Sequence, residues 1–194
     1  MFFAWFILSL FACGHTQGII SRHGLGHALV INRCSFPIFL KSCINDDPLP
    51  QILNPKEMYR ETYRVNPDGG GVSIKIASNQ TVGTAANITQ AFDQSTITQF
   101  EYTYKPGVGM WYDISNVDGG NPWPFKKHGL SLVSSDHSCK EVICFRNRDC
   151  TAGYILPGDN YAVHGCGNDQ DMELNLCMVA NSSQSVGQTS CKCC

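Results

Sequence analysis

Cysteine is the residue type that most constrains how this chain can fold. Eleven cysteines are present in 194 residues. If Cys13 is removed with an N-terminal leader, the even number that remains is typical of disulfides in an exported protein. Thiolate binding of a soft metal is the alternative at Cys191, Cys193 and Cys194, but an oxidising compartment converts such thiols to disulfides first. The sequence therefore predicts a disulfide-stabilised domain that holds no metal and no other cofactor.

The N-terminus has the properties of an export signal. Residues 2–12 read FFAWFILSLFA and are followed by small residues, which predicts a signal peptide over residues 1–14, cut between residue 12 and about residue 20. This run is too short to cross a bilayer core, which needs about 20 residues, so we expect no membrane span. Three sequons predict N-glycosylation at Asn79, Asn87 and Asn181.

Net charge and chain length narrow the class of protein and the number of domains. The formal net charge is −2 and no run of Lys or Arg occurs, so we expect no binding to nucleic acid, which needs clustered cations. About 175 residues remain without the leader, enough to bury about 70 % of the unfolded surface in one core. We therefore expect one domain over residues 24–180, monomeric, followed by a flexible Cys-containing tail at 181–194.

Short β-type segments separated by Gly, Pro and Asn turns fill the predicted domain. The expected strands are 28–31, 36–40, 58–65, 72–76, 100–104, 130–133, 154–156, 161–163 and 172–176. Around residue 101 the alternation places Gln99 and Glu101 on one face and Phe100 and Tyr102 on the other. The polar segment 78–95 is interpreted as an exposed loop. This pattern is typical of an antiparallel sandwich or barrel.

Several segments resemble thaumatin-like proteins. VINRCSFPI at 30–38 resembles their opening strand, and WYDISNVDGGNP at 111–122 resembles their Tyr-Asp-x-Ser-x-Val-Asp-Gly-x-Asn segment. PGDNY at 157–161, before the last core cysteines, makes the order of motifs similar to a small fungal branch, the Blastomyces yeast-phase-specific protein family. The resemblance covers 27–178 and implies an all-β, thaumatin-like antiparallel β-sandwich, stapled by disulfides. The Cys-rich second domain and its Thr-Gly-Asp-Cys signature are absent.

The resemblance also implies which cysteines are bonded, because the two terminal strands are adjacent in thaumatin-like proteins. The implied pairs are Cys34–Cys177, Cys139–Cys166 and Cys144–Cys150. The partners of Cys43 and of the three tail cysteines stay open, and pairing of Cys43 with the tail is where we expect heterogeneity.

Larger thaumatin-like proteins have an acidic cleft, built from one Arg, one Glu and three Asp, that is associated with β-1,3-glucan binding and sometimes weak hydrolysis. Asp113 and Asp118 match two of its acids, Gln99 stands at the Glu position with Glu101 on the same strand face, and the Arg position falls near Lys75 or Ile76. The candidate catalytic residues are Glu101, Asp113 and Asp118. The candidate ligand-binding residues are these three with Gln99, Trp111 and Trp123.

The candidate catalytic and ligand-binding residues could instead serve only to stabilise the fold. An Asp near a Gly-rich turn often accepts hydrogen bonds from the turn's own backbone amides, which would give Asp113 and Asp118 a purely stabilising role. The aromatic side chains between residues 111 and 125 can equally pack in the core or in a loop.

From these features we expect a secreted, non-enzymatic antigen or effector-type protein that acts at the cell wall or at a host surface. The alternatives are a weak β-1,3-glucan-binding protein or glucanase with a partial acidic cleft, and an inhibitor of extracellular hydrolases. The expected partners are accordingly cell-wall β-glucan or a host extracellular protein.

Overall fold

The computed structural model describes residues 24–78 and 87–178. The predicted signal peptide, the sequons at Asn79 and Asn181, and the predicted tail at 181–194 lie outside the described residues. The described chain is nearly all β and forms two sheets that face each other across one core.

The first sheet has five strands. They are β1 (His27–Asn32), β4 (Met58–Thr62), β8 (Leu130–Ser134), β9 (Val142–Cys144) and β11 (Met172–Leu176). Their order is β4-β1-β11-β8-β9, and all neighbours are antiparallel except β1 and β11. The first and last strands of the described chain are therefore adjacent, as the resemblance implies.

The second sheet has six antiparallel strands. They are β2 (Ile38–Cys43), β3 (Gln51–Leu53), β5 (Val72–Ser78), β6 (Ile97–Lys105), β7 (Gly109–Ser115) and β10 (His164–Cys166), in the order β10-β7-β6-β5-β2-β3. The described chain is thus an all-β sandwich of two mainly antiparallel sheets, as expected.

Alternating side chains decide which face of the six-stranded sheet enters the core. In β5, Ile74 and Ile76 are fully buried while Ser73 and Lys75 point to the other face. In β6, Phe100 is likewise buried in the core, and Glu101 lies on the outer face. The outer face of this sheet is consequently polar where β5, β6 and β7 run side by side.

Three disulfides stabilise the fold. Cys34 is bonded to Cys177, Cys139 to Cys166, and Cys144 to Cys150. These are the three pairs that the resemblance implies. The first bridge joins the ends of β1 and β11, so it fixes two strands that are 143 residues apart in sequence.

The expected strands at 154–156 and 161–163 are wrong. Tyr154 makes only an isolated bridge to Ser115, and the strand in this region is β10. The reason is a turn that Asp159 holds: its carboxylate accepts hydrogen bonds from the backbone N–H groups of Ile155 and Leu156 at 3.0 and 2.9 Å. A backbone bonded in this way has no N–H groups left for a sheet neighbour.

The interpretation of 78–95 as a purely exposed loop is also wrong, because it contains helix α1 (Ile88–Asp93). The exposed Asn87 caps it, its side chain accepting a hydrogen bond from the Gln90 N–H at 2.8 Å. Ala91 and Phe92 are buried on Phe39 of β2, and together they cover one end of the outer face of the six-stranded sheet. The sequon at Asn87 stays a predicted glycosylation site.

Replacing Phe92 by Ala is expected to lower the free energy of unfolding by about 3 kcal/mol, because the ring is 3 % exposed and its removal leaves a cavity against the sheet. Urea denaturation of Phe92→Ala measures the loss. A variant as stable as the parent would contradict the docking of α1, since an exposed loop residue contributes little.

Candidate functional site

The outer face of the six-stranded sheet carries a polar cleft of about 520 Å³. We call it the acidic cleft, and define it by Ser73, Lys75, Gln99, Glu101, Trp111 and Asp113. The strand register places Cys43, Ser73, Glu101 and Asp113 directly opposite one another, one on each of four neighbouring strands. Residues opposite each other in a sheet share a face, so this row crosses the floor of the cleft.

The row brings two carboxyl groups into contact. Glu101 and Asp113 are cross-strand partners and their side chains hydrogen-bond to each other. Asp113 is 9 % exposed, and its Oδ1 atom has no hydrogen-bond partner among the described residues. Two ionised carboxylates cannot share such a contact, so one proton is held between them.

Burial raises the pKa of both carboxyl groups. Burial first, and then the negative charge of Glu101 and the hydrogen bond to it, raise the pKa of Asp113 to about 8. The pKa of Glu101 is raised mainly by burial; the hydrogen bond with Asp113 lowers it in part, the charge of Asp118 raises it further, and the charge of Lys75 lowers it. At neutral pH the pair therefore carries about one negative charge rather than two.

Gln99 links Ser73 to Asp118 beside this pair. Its Oε1 accepts a hydrogen bond from Ser73 Oγ at 2.8 Å, and its Nε2 donates to Asp118 Oδ2 at 3.4 Å. Asp118 is exposed and lies in a single 3₁₀ turn, Val117–Gly119, just after β7. The structure thus brings Gln99, Glu101, Asp113 and Asp118 together, as the resemblance implies.

The two tryptophans do not lie together. Trp111 is partly exposed and lines the acidic cleft, with Lys105 Nζ 5.5 Å from its ring centroid. Trp123 is 5 % exposed, and its Nε1 donates to the Arg148 carbonyl at 3.3 Å. It borders a separate cavity with Asn116, so its assignment to the same ligand site is wrong.

The structural alternative for the aspartates is not what the structure shows. Asp113 lies inside β7 rather than at a turn, and neither it nor Asp118 accepts a hydrogen bond from a backbone N–H of residues 24–78 and 87–178. For Asp113 the expected turn-stabilising role is therefore wrong. Core packing does hold for Tyr112 and Phe125, which are fully buried.

Sequence reasoning missed Ser73 and Cys43 as members of this site. Alternation within β5 places Ser73 on the same face as Lys75, but nothing in the sequence states that Ser73 stands opposite Glu101 and Cys43. That register depends on how strands distant in sequence align, and only the fold supplies it.

The contact between the carboxyl groups limits the chemistry of the cleft. Glycoside hydrolysis needs two carboxyls about 5 to 5.5 Å apart for retention, or about 6.5 to 9.5 Å for inversion. A direct hydrogen bond brings two carboxyl groups closer together than either arrangement requires, so Glu101 and Asp113 do not form such a pair with each other. The pair is better suited to hydrogen bonding than to bond cleavage.

The described part of the chain offers neither a metal site nor a membrane-spanning helix. It contains no group of three or more His, Cys, Asp or Glu side chains placed to hold a metal ion. None of its helices is long and apolar enough to span a bilayer.

Comparison with known proteins shows the family. The family model described as Blastomyces yeast-phase-specific protein matches residues 17–178. The chain belongs to this family. Within the Blastomyces yeast-phase-specific protein family and its thaumatin-like relatives, it is 37 % identical to the antigenic thaumatin-like protein of Arthroderma benhamiae, over 82 % of this chain and 74 % of that protein. It is 29 % identical to the secreted thaumatin-like protein calA of Emericella nidulans, over 78 % and 81 % of the two chains.

Solved structures show the same fold for this member of the Blastomyces yeast-phase-specific family. The protein elicitor MoHrip2 from Magnaporthe oryzae superposes with a TM-score of 0.57 at 19 % identity, over 79 % of this chain and 99 % of that structure. The thaumatin-like xylanase inhibitor TLXI superposes with a TM-score of 0.50 at 15 % identity, over 78 % and 99 %. At these identities the likeness concerns the fold alone.

Proposed function

We propose that this protein is secreted and non-enzymatic, and that it acts at the fungal cell wall or at a host surface by binding a neutral polysaccharide of the β-1,3-glucan class in the acidic cleft. The observation that carries the proposal is the polar cleft of about 520 Å³, whose lining places the Glu101–Asp113 cross-strand pair beside the partly exposed ring of Trp111.

A carboxyl pair with one proton suits a polyol. Each sugar hydroxyl can donate one hydrogen bond and accept others, and the pair presents acceptor oxygens to it, because the one proton is held between the two carboxyls. Gln99 adds an amide at one side of the pair, where its partners Ser73 and Asp118 hold it in place.

The remaining walls favour a neutral ligand over a charged one. The exposed part of the Trp111 ring offers an apolar surface of the kind that packs on the carbon face of a sugar ring. The negative charge of Glu101, Asp113 and Asp118 disfavours an anionic polymer. Lys75 lies beside the pair and partly offsets that charge.

Secretion is supported by chemistry and by the relatives. Three disulfides persist in an oxidising compartment and are rare in the cytosol. The predicted signal peptide over residues 1–14 provides the route of export, and one relative is named as secreted. The non-enzymatic part of the proposal is supported by the close contact of Glu101 with Asp113.

A pull-down on insoluble β-1,3-glucan tests the proposal. Retention of the full chain is expected, with an affinity about tenfold lower for Trp111→Ala, because a tryptophan at the centre of a binding surface contributes strongly. Phe145→Ala is the matched control, since Phe145 is 59 % exposed and does not line the cleft. Equal retention of both variants would contradict the assigned surface.

A reducing-sugar assay on the same samples tests the non-enzymatic claim. No sugar release above background is expected from the full chain. Release that is lost in Glu101→Gln would show a glucanase instead. The remaining hypothesis, an inhibitor of extracellular hydrolases, stays a prediction, and it is tested by adding the protein to a hydrolase assay.

A further inference from the structure

Positive charge collects at one end of the five-stranded sheet. The strand register aligns the C-terminal ends of β1, β11 and β9 with the N-terminal end of β8. The segments that extend beyond these strand ends therefore lie at the same end of the sheet. They carry five cationic side chains, Arg33 after β1, Lys126 and Lys127 before β8, and Arg146 and Arg148 after β9. We call these five residues the basic edge.

Hydrogen bonds hold the segment before β8 against the segment after β9. The Asn147 N–H donates to the Lys126 carbonyl at 2.6 Å, and the Arg146 Nε–H donates to the Lys127 carbonyl at 3.4 Å. The disulfide loop Cys144–Cys150 restrains the second of these segments further. A surface that is restrained before it meets a ligand loses less conformational entropy on binding, so the basic edge is preorganised.

Little of this charge is neutralised by carboxylates of the described residues. Lys127, Arg146 and Arg148 are exposed to solvent. Of the five cations, only Lys126 is ion-paired in the described part of the chain, to Asp149 at 2.6 Å. The result is a local excess of positive charge on a chain whose formal net charge is −2.

An exposed ring and a small cavity adjoin the cations. Phe145 is exposed at the start of the disulfide loop. Lys126, Lys127 and His128 line a cavity of about 190 Å³, which is large enough for one sulfate group. Burial, and then the positive charges of Arg146 and Lys127, lower the pKa of His128, so cations from both segments act at this cavity.

We propose that the basic edge binds a sulfated polysaccharide, with Lys127, Arg146 and Arg148 on its sulfate groups and Phe145 on the carbon face of a sugar ring. A guanidinium group donates two parallel hydrogen bonds to the oxygens of a tetrahedral anion, as it does to phosphate. Aromatic rings provide the apolar contact that a sugar ring needs.

The spacing of the cations favours a densely charged polymer. Strands β1 and β9 are three strand spacings apart, so the basic edge is about 14 Å wide. A partner has to present several negative charges within that length. A polysaccharide with several sulfate groups per disaccharide does so, whereas one with a single carboxylate per disaccharide does not. A membrane surface is disfavoured because a single apolar anchor gives only marginal membrane binding.

This site is separate from the acidic cleft. The cleft lies on the six-stranded sheet, and none of the residues that line it belongs to the basic edge. Binding of a sulfated polysaccharide therefore does not rest on the proposed binding of glucan.

Calorimetric titration of the full chain with a heparin octasaccharide, at about 50 and 150 mM salt, tests the proposal. In the double variant Arg146→Gln and Arg148→Gln, the affinity at the higher salt is expected to decrease about tenfold. The slope of log affinity against log salt is expected to become less steep by roughly one to two, because each cation on a polyanion releases counterions.

The matched control is the double variant Arg60→Gln and Lys140→Gln, which removes the same charge from two exposed positions outside the basic edge. It is expected to bind the octasaccharide like the parent. Absence of binding by the parent, or an equal loss of affinity in both double variants, overturns the proposal.

A crossed comparison separates the two sites. Phe145→Ala is expected to lower the affinity for the octasaccharide several fold and to leave glucan retention unchanged, and Trp111→Ala is expected to do the reverse. If the octasaccharide binds at the basic edge and no protein retains glucan, the proposed function has failed and this inference stands. If glucan is retained and the octasaccharide is not bound, this inference has failed and the proposed function stands.

The same titration with hyaluronan, with phosphatidylserine vesicles and with a DNA duplex tests the class of partner. At an equal concentration of negative charge, each is expected to bind more weakly than the heparin octasaccharide. Binding of any of the three as tightly as the octasaccharide overturns the assignment to a sulfated polysaccharide.

Discussion

Replacing Cys34 and Cys177 together by Ala is expected to lower the free energy of unfolding by about 5 kcal/mol, the value that the chain-entropy model gives for a loop of 143 residues. A domain of this kind has only about 5 to 15 kcal/mol of stability in total, so the variant should be partly or wholly unfolded at 37 °C. Urea denaturation, followed by circular dichroism or tryptophan fluorescence, measures the loss.

The matched control is the double replacement of Cys144 and Cys150, which are 6 residues apart. The same model gives about 2 kcal/mol for so short a loop. Equal losses for the two pairs would contradict the view that the long bridge, by joining β1 to β11, is the main covalent constraint on the fold.

Replacing Asp113 by Asn is expected to raise the free energy of unfolding by about 4 kcal/mol at pH 7. The folded-state pKa of Asp113 is about 8, against an ordinary value of 3.8. The folded protein must therefore take up a proton that the unfolded chain does not hold at this pH. Asparagine has the shape of the protonated acid and needs no proton.

The same cause gives the parent a defined pH dependence. Because the pKa of Asp113 is raised on folding, its contribution to stability is fully present below about pH 4, decreases by about 1.4 kcal/mol per pH unit, and is lost as the pH passes about 8. Glu101 shares this proton with Asp113, and Lys75 and Asp118 are the other charged groups that act on the pair. Asp113→Asn should remove most of this dependence of the unfolding free energy on pH.

Urea denaturation at pH 4.5, 6 and 7.5 measures both effects, with Asp169→Asn, an exposed aspartate away from the cleft, as the control. A loss of 1 to 3 kcal/mol in Asp113→Asn at pH 7 is instead what the removal of a charged acceptor of backbone amides would cause. That result would contradict the shared proton.

The sequence predicts those parts of the fold that local patterns determine. Strand β11 was predicted with its full extent because Met172 and Leu174 alternate with polar residues between clear turn signals. The outward face of Gln99 and Glu101 follows from the same alternation. The match of Asp113 to an acidic site came from resemblance, since nothing in its immediate neighbours distinguishes it from a turn aspartate.

The parts that could not be predicted depend on contacts between distant residues. Helix α1 is only six residues long, too short for an amphipathic period, and its formation depends on the packing of Phe92 against Phe39. Trp123 and Trp111 look alike in the sequence, but one is buried beside Asn116 and the other borders the cleft. The contact of Glu101 with Asp113 is a matter of strand register.

The central claim is that the acidic cleft binds a neutral glucan, and an amide NMR titration with a soluble β-1,3-glucan oligosaccharide tests it most directly. The full chain is titrated. The account predicts saturable shifts at the amides of Ser73, Gln99, Glu101 and Trp111, and none on the five-stranded sheet. No shifts, or shifts confined to the five-stranded sheet, would contradict it.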